Sequence, residues 1–121
     1  MKTVIIIDDE LDILEVLERF LSRTGKLIVE TYSNPEAALN RLREKQYDLI
    51  LSDIMMPQVS GMDILKEVKS LNPNSKIVLM TAYSNQNRID TSEKYGVDEY
   101  LEKPFENLKA VESKIHSLLN I

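Results

Sequence analysis

Thr3-Val4-Ile5-Ile6-Ile7-Asp8-Asp9 decides how this chain folds. Five consecutive β-branched residues make a strand, and the lack of polar alternation means that both of its faces are buried. The run then ends in an acidic pair. A second run, Asp48-Leu49-Ile50-Leu51-Ser52, is followed by Asp53 in the same way. Three carboxylates, Asp8, Asp9 and Asp53, therefore stand at the carboxyl ends of two buried strands. Their mutual repulsion is costly unless a hard cation or a phosphoryl group occupies the crevice between them.

Outward from these runs, strands alternate with helical periodicity. Strands are expected over 3–7, 27–32, 48–52, 76–80 and 97–101. Residues 10–23 carry Ile13, Leu14, Leu17, Phe20 and Leu21 at helical spacing, with Gly25 as the stop. Asn34-Pro35-Glu36 is a helix start: Asn caps, Pro takes the first helical position and Glu sits in the first turn. Ser60 caps a helix that Asn72-Pro73-Asn74 ends, and the last helix spans roughly 106–119. The segment 84–95 holds its place in the pattern but is rich in Asn, Ser, Asp and Thr, so only a marginal helix is expected there.

Five strand–helix units with right-handed crossovers give an α/β (βα)5 fold, a doubly wound five-stranded parallel sheet with helices on both faces. In such sheets the ligand crevice lies at the carboxyl ends of the strands, where strand order reverses. That rule points again at Asp8, Asp9 and Asp53. It adds Thr81 after the fourth strand and Lys103 after the fifth.

Bulk properties narrow the function. A chain of 121 residues is expected to form one domain, spanning 1–121. A net charge of −5 argues against a duplex-binding surface. With no cysteine there is no disulfide, thiolate metal site or cysteine nucleophile, which fits a reducing cytoplasm. There is no signal-peptide pattern after Met1-Lys2, and no apolar stretch nears the ~20 residues of a membrane span.

Asp8, Asp9, Asp53, Thr81 and Lys103 form a chemically coherent set. Carboxylates suit Mg2+, which takes oxygen ligands. A carboxylate can also attack phosphorus to give an aspartyl-phosphate. The cation, the Lys103 ammonium and the Thr81 hydroxyl could each take one equatorial oxygen. Asp53, alone on the central strand, is the best nucleophile. Taken singly, an acidic pair, a strand-end threonine or a lysine is usually a solvated turn, a cap or a surface charge. Their agreement at successive strand ends reverses that expectation.

The set resembles the receiver domain of two-component response regulators. The matching pieces are Ile7-Asp8-Asp9-Glu10, Leu51-Ser52-Asp53-Ile54-Met55-Met56-Pro57, Ser60-Gly61, Met80-Thr81-Ala82 and Tyr100-Leu101-Glu102-Lys103-Pro104-Phe105. They run through the whole chain in order. The resemblance implies a flavodoxin-like sheet of strand order 2-1-3-4-5. It implies that Asp53 accepts a phosphoryl group from a phosphohistidine of a histidine kinase or histidine phosphotransfer protein. Asp9, Asp53, the Met55 carbonyl and, directly or through water, Asp8 would hold Mg2+. Lys103 would pair with Asp53 and then with the phosphoryl group, Thr81 would move inward, and Tyr100 would follow as the aromatic switch. Lys103-Pro104 would be a cis peptide. The output would be a shift of the face built by the fourth and fifth strand–helix units.

Met55 and Tyr83 flank the phosphoryl position in this resemblance. Both are bulky and neither can orient water well, so slow self-dephosphorylation is expected. Leu11, Ile13 and Val16 would offer a small apolar contact to a partner bundle. A Mg2+-dependent phosphatase with an aspartyl nucleophile is the rival of a different class. Such enzymes of the haloacid-dehalogenase type carry an acid/base Asp where this chain has Met55. A flavodoxin-type electron carrier would need a phosphate-cradling loop where Asp8-Asp9-Glu10 stands, and a receiver fold used as a plain binding module stays open. The kinase, the output partner or output domain, and pairing of two copies on phosphorylation are not legible. A stand-alone receiver and a domain of a longer regulator both fit.

Overall fold

A computed structural model describes residues 1–82, 93–105 and 107–121. The elements are β1 (Lys2–Ile7), α1 (Leu11–Ser22), β2 (Leu27–Tyr32), α2 (Pro35–Glu44), β3 (Leu49–Asp53), α3 (Gly61–Leu71), β4 (Lys76–Thr81), β5 (Glu99–Glu102) and α4 (Leu108–Leu119). The strands form one parallel sheet in the order β2-β1-β3-β4-β5. The expected order 2-1-3-4-5 is therefore found. Most of the marginal helix over 84–95 lies outside the described residues, as does Tyr83.

The uninterrupted apolar runs are explained by a core on each face of the sheet. Val4 and Ile6 of β1 face one side, with Leu49, Leu51, Val78 and Met80. There they meet Leu14, Leu17 and Leu21 of α1 and Val111, Ile115 and Leu119 of α4. Ile5 and Ile7 face the other side with Ile50, Ile77 and Leu79, against Ala38 and Leu42 of α2 and Ile64, Leu65 and Val68 of α3. Val4 through Ile7 are all fully buried. Each such side chain contributes about 1.5–3 kcal/mol, so β1 and β3 are firmly anchored between the two helical layers. That rigid pair carries Asp8 and Asp53.

The helix signals act as read, with one addition. The Asn34 side chain accepts from the Glu36 and Ala37 amides, and Pro35 opens α2. Ser60 accepts from the Asp63 amide while Asp63 reaches back to the Ser60 amide, a reciprocal capping box that the sequence reading had only half identified. Gly25 stands just past α1 with φ +73, where a glycine is favoured. β5 begins two residues later than expected. Asp98 instead clasps the start of β4, donating its amide to the Ile77 carbonyl and accepting the Ile77 amide on its carboxylate. His116, the one histidine of the chain, is half-buried, with its Nε2 sealed from solvent.

Candidate functional site

Strand register brings the site together. Ile7 pairs with Ser52, so Asp8 and Asp53 leave adjacent strands at the same height. Asp53 pairs with Met80, which places Thr81 one step beyond it. Thr81 pairs with Glu102, and the Lys103 amide donates to the Thr81 carbonyl at 2.8 Å. Four strand ends thus deliver Asp8, Asp53, Thr81 and Lys103 to one crevice.

Lys103 organises the crevice. Its Nζ donates to Asp8 Oδ2 at 2.9 Å and to Asp53 Oδ2 at 3.1 Å, and lies 3.5 Å from Glu10 Oε1. An ammonium has three protons, so each carboxylate can take one. The second oxygens are also used: Asp8 Oδ1 accepts the Glu10 amide at 2.8 Å and Asp53 Oδ1 accepts the Met55 amide at 3.3 Å. Asp8 is fully buried and Asp53 is 7% exposed, so only an edge of the Asp53 carboxylate meets solvent.

The electrostatics follow from this burial. Burial pushes the Asp8 carboxyl above its ordinary range, and the Glu10 amide and Lys103 only partly offset it. For Lys103, burial pulls downward, but the Asp8 hydrogen bond and the Asp53 charge outweigh it and hold the ammonium above its ordinary range. Lys103 is therefore fully charged at neutral pH, and the charge of Asp8 is held at a cost.

Asp8, Glu10 and Asp53 each offer a carboxylate oxygen within 4.8 Å of the others. This is the one such group among the described residues. Asp9 is exposed and stands outside it. Sequence reading assigned Glu10 no role. Its spacing from Asp8 was the available signal, because an Asp that accepts the amide two residues on curls the chain back.

The neighbouring elements hold the remaining candidates. Thr81 and Tyr100 are half-buried, and Tyr100 packs on the α2–α3 side of the core. The Lys103–Pro104 peptide is cis. A groove beside β5 is lined by Tyr100, Lys103, Pro104, Phe105, Val111 and Lys114. Met55, which follows β3, and Leu11 and Val16 of α1 are exposed. Ile13 is not available there, because it packs against the α1–α4 side of the core. Gly61 abuts the site from α3: its amide donates to the Ile54 carbonyl at 2.8 Å, and a Cβ would collide with the Asp53 carbonyl oxygen.

Comparison with known proteins places this geometry. The family model described as the response regulator receiver domain matches residues 4–115. The chemotaxis protein CheY of Thermotoga maritima is 29% identical over 112 residues, covering 93% of each chain. The DNA-binding transcriptional regulator NtrC of Escherichia coli is 37% identical over 106 residues, 88% of this chain. This chain spans only 22% of the length of NtrC. The structure of the response regulator TrrA of Thermotoga maritima, in complex with Mg2+-BeF, superposes with a TM-score of 0.84 at 36% identity over 98% of this chain and 99% of that one. With its sheet order, its strand-end residues and a match over nearly its whole length, the chain belongs to the response regulator receiver domain family.

Proposed function

We propose that this domain is a phospho-acceptor switch in which Asp53 takes the phosphoryl group of a phosphohistidine on a histidine kinase or histidine phosphotransfer protein. An Asp53 carboxylate oxygen attacks phosphorus in line with the P–N bond. The O–P bond of an acyl phosphate forms as the P–N bond breaks, and the imidazole leaves with that electron pair on its released nitrogen and a proton on the other. The observation that carries this reading is the Lys103 ammonium 3.1 Å from Oδ2 of Asp53, a carboxylate at a strand end that keeps a little exposure. It sits where negative charge gathers on the transferring oxygens. The Met55 amide, bonded to Asp53 Oδ1, fixes the orientation of the nucleophile.

The donor set suits Mg2+: every candidate ligand is an oxygen, from Asp8, Asp9, Asp53 and the Met55 carbonyl. When bound, the ion supplies neutralising charge for the transferring oxygens. TrrA binds Mg2+ together with a beryllium fluoride, and a like site here would do the same. Thr81 would turn its hydroxyl to a phosphoryl oxygen, Tyr100 would follow inward, and the groove beside β5 would change shape for an output partner or output domain. Pairing of two copies through that face would be one form of output. Met55 and Tyr83 would slow hydrolysis by excluding ordered water. The partner's histidine would approach over exposed Leu11, Val16 and Met55. The domain would work in the cytoplasm, catalysing only its own phosphorylation and dephosphorylation. It would touch neither nucleic acid nor membrane directly. No helix among the described residues is long and apolar enough to span a bilayer.

Intact mass after incubation with Mg2+ and acetyl phosphate or a phosphoramidate tests this. The wild type gains one phosphoryl group that hydroxylamine releases, and Asp53→Ala gains none. Equal labelling of Asp53→Ala would overturn the assignment.

A further inference from the structure

We propose that Met55 is a site of reversible oxidation, where a hydroperoxide converts the thioether to a sulfoxide and thereby shortens the life of the phosphoryl group on Asp53. The inference rests on the reading that Asp53 carries that group.

The outward direction of Met55 is built into the loop that follows β3. Ile54 and Met56 both pack on the α2–α3 side of the core. Residue 55, between them, therefore faces away from that core and is 57% exposed. Beyond it the chain is held in a tight turn, with Gln58 at φ +71 and the Val59 amide donating to the Pro57 carbonyl at 2.7 Å. The Met55 backbone is tied to the nucleophile, because its amide donates to Asp53 Oδ1 at 3.3 Å. A flexible thioether thus stands in solvent on a backbone fixed against the Asp53 carboxylate.

Exposure selects this sulfur among the internal methionines. Met80 is fully buried, and Met56 and Met62 are partly buried against the core. Met1 is exposed, but it precedes β1 and so lies at the end of the sheet away from the crevice. With hydrogen peroxide, the Met55 sulfur attacks one peroxide oxygen. The S–O bond forms as the O–O bond breaks, and the proton of the transferred hydroxyl passes to the departing oxygen, which leaves as water. Sulfur gives up two electrons and the peroxide takes them. The product carries a strongly polar oxygen where the thioether was only a weak acceptor. A water near the acyl phosphate then has a group to orient it. A sulfoxide reductase restores the thioether at the expense of two thiols, which become a disulfide while the oxygen leaves as water.

The test treats the full chain with dilute hydrogen peroxide. Oxidation is read by peptide mass mapping, and the aspartyl-phosphate lifetime is read by intact mass after labelling with acetyl phosphate and Mg2+. Met55 should gain an oxygen before Met56, Met62 and Met80 do, and the lifetime should then shorten several-fold. Methionine sulfoxide reductase should return the lifetime to its untreated value. Met55→Leu keeps Met1 and the other methionines, so its own lifetime should be the same with and without peroxide. Three results each overturn the inference and leave the phospho-acceptor reading standing: Met55 oxidising no faster than Met80, an unchanged lifetime once Met55 is oxidised, or equal shortening in Met55→Leu. A wild type that takes no phosphoryl group before peroxide overturns that reading and the inference with it.

Discussion

Replacing Gly61 by alanine tests whether the close approach of α3 to β3 sets the position of Asp53. A Cβ at this position would stand 2.9 Å from the Ile54 Cα and nearer still to the Asp53 carbonyl oxygen, where ordinary contact begins at 3.4 Å. Both obstacles are backbone, so no side chain can move aside. The start of α3 must retreat by roughly half an ångström or more, which overpacking costs place at about 1–3 kcal/mol. The retreat also stretches the 2.8 Å bond from the Gly61 amide to the Ile54 carbonyl, a further loss of about 1 kcal/mol. Against this stands the better helix propensity and the stiffer unfolded chain of alanine, about 1 kcal/mol together at a helix start. The balance is a destabilisation of about 2 kcal/mol. Urea unfolding should show a midpoint lower by about 1 M with an unchanged slope. Labelling by acetyl phosphate should slow as well, because the displaced atoms belong to the nucleophile's own backbone. Gly25→Ala is the control. It has open space around its Cβ but a φ of +73, so it should cost about 1 kcal/mol and leave labelling unchanged. A Gly61→Ala protein as stable as wild type would refute the reasoning.

Lys103→Met leaves Asp8 and Asp53 facing each other without a counter-ion, so in chelator it should lose about 3 kcal/mol, and Mg2+ should raise its melting temperature more than it raises that of wild type. The Asp8 carboxyl is held above its usual 3.8 in the folded protein, so the fold binds that proton better than the unfolded chain does. The associated stability is fully present below the unfolded value and is lost as pH rises through the folded one. In chelator, wild type should therefore lose stability relative to Asp8→Asn as pH rises above about 4, as read by urea titration at each pH. Met55→Asn with Tyr83→Glu should shorten the aspartyl-phosphate lifetime several-fold, measured by intact mass against time, and an unchanged lifetime would remove these residues from that role. Val16→Lys should weaken transfer from a phosphohistidine partner and spare labelling by acetyl phosphate, since residue 16 is exposed on α1 away from the reacting atoms.

The sheet was legible because its central strands, β1, β3 and β4, are buried on both faces. An unbroken run such as Val4-Ile5-Ile6-Ile7 can sit only between two helical layers, and its polar end marks where the layers stop. Asp8, Asp53, Thr81 and Lys103 were legible for the same reason, each lying at the end of its own strand or just beyond. What was not legible depends on side-chain direction after the backbone leaves the sheet. The turn at Asp8 puts Glu10, not Asp9, among the clustered carboxylates. Ile13 reads, with Leu11 and Val16, as a partner contact, but it is partly buried against the α1–α4 side of the core. Asp98 reads as strand, but its carboxylate is taken by the Ile77 amide. At Asp8 a hydrogen bond to the amide two residues on decides, and at Asp98 a partner distant in sequence does.

The arrangement around Lys103 suggests how phosphorylation is felt beyond Asp53. Its three donors are already matched to three carboxylates, at 2.9, 3.1 and 3.5 Å. A phosphoryl oxygen can be taken up only by displacing one of them. Asp8 is fully buried and would be left as an unpaired charge, which is the costly choice. Glu10 is both the most distant and the most exposed of the three, so it is released at least cost. The released Glu10 sits at the start of α1, and Lys103 sits beside β5, its amide bonded to Thr81. On the proposed reading, phosphorylation would act on two elements at once, freeing an acidic side chain at the start of α1 and engaging the lysine that follows β5. Moving a two-state equilibrium from mostly inactive to mostly active takes about 5.5 kcal/mol, more than any one of these hydrogen bonds provides. Such a switch would have to draw on the whole crevice, including the Asp8 carboxylate that burial disfavours.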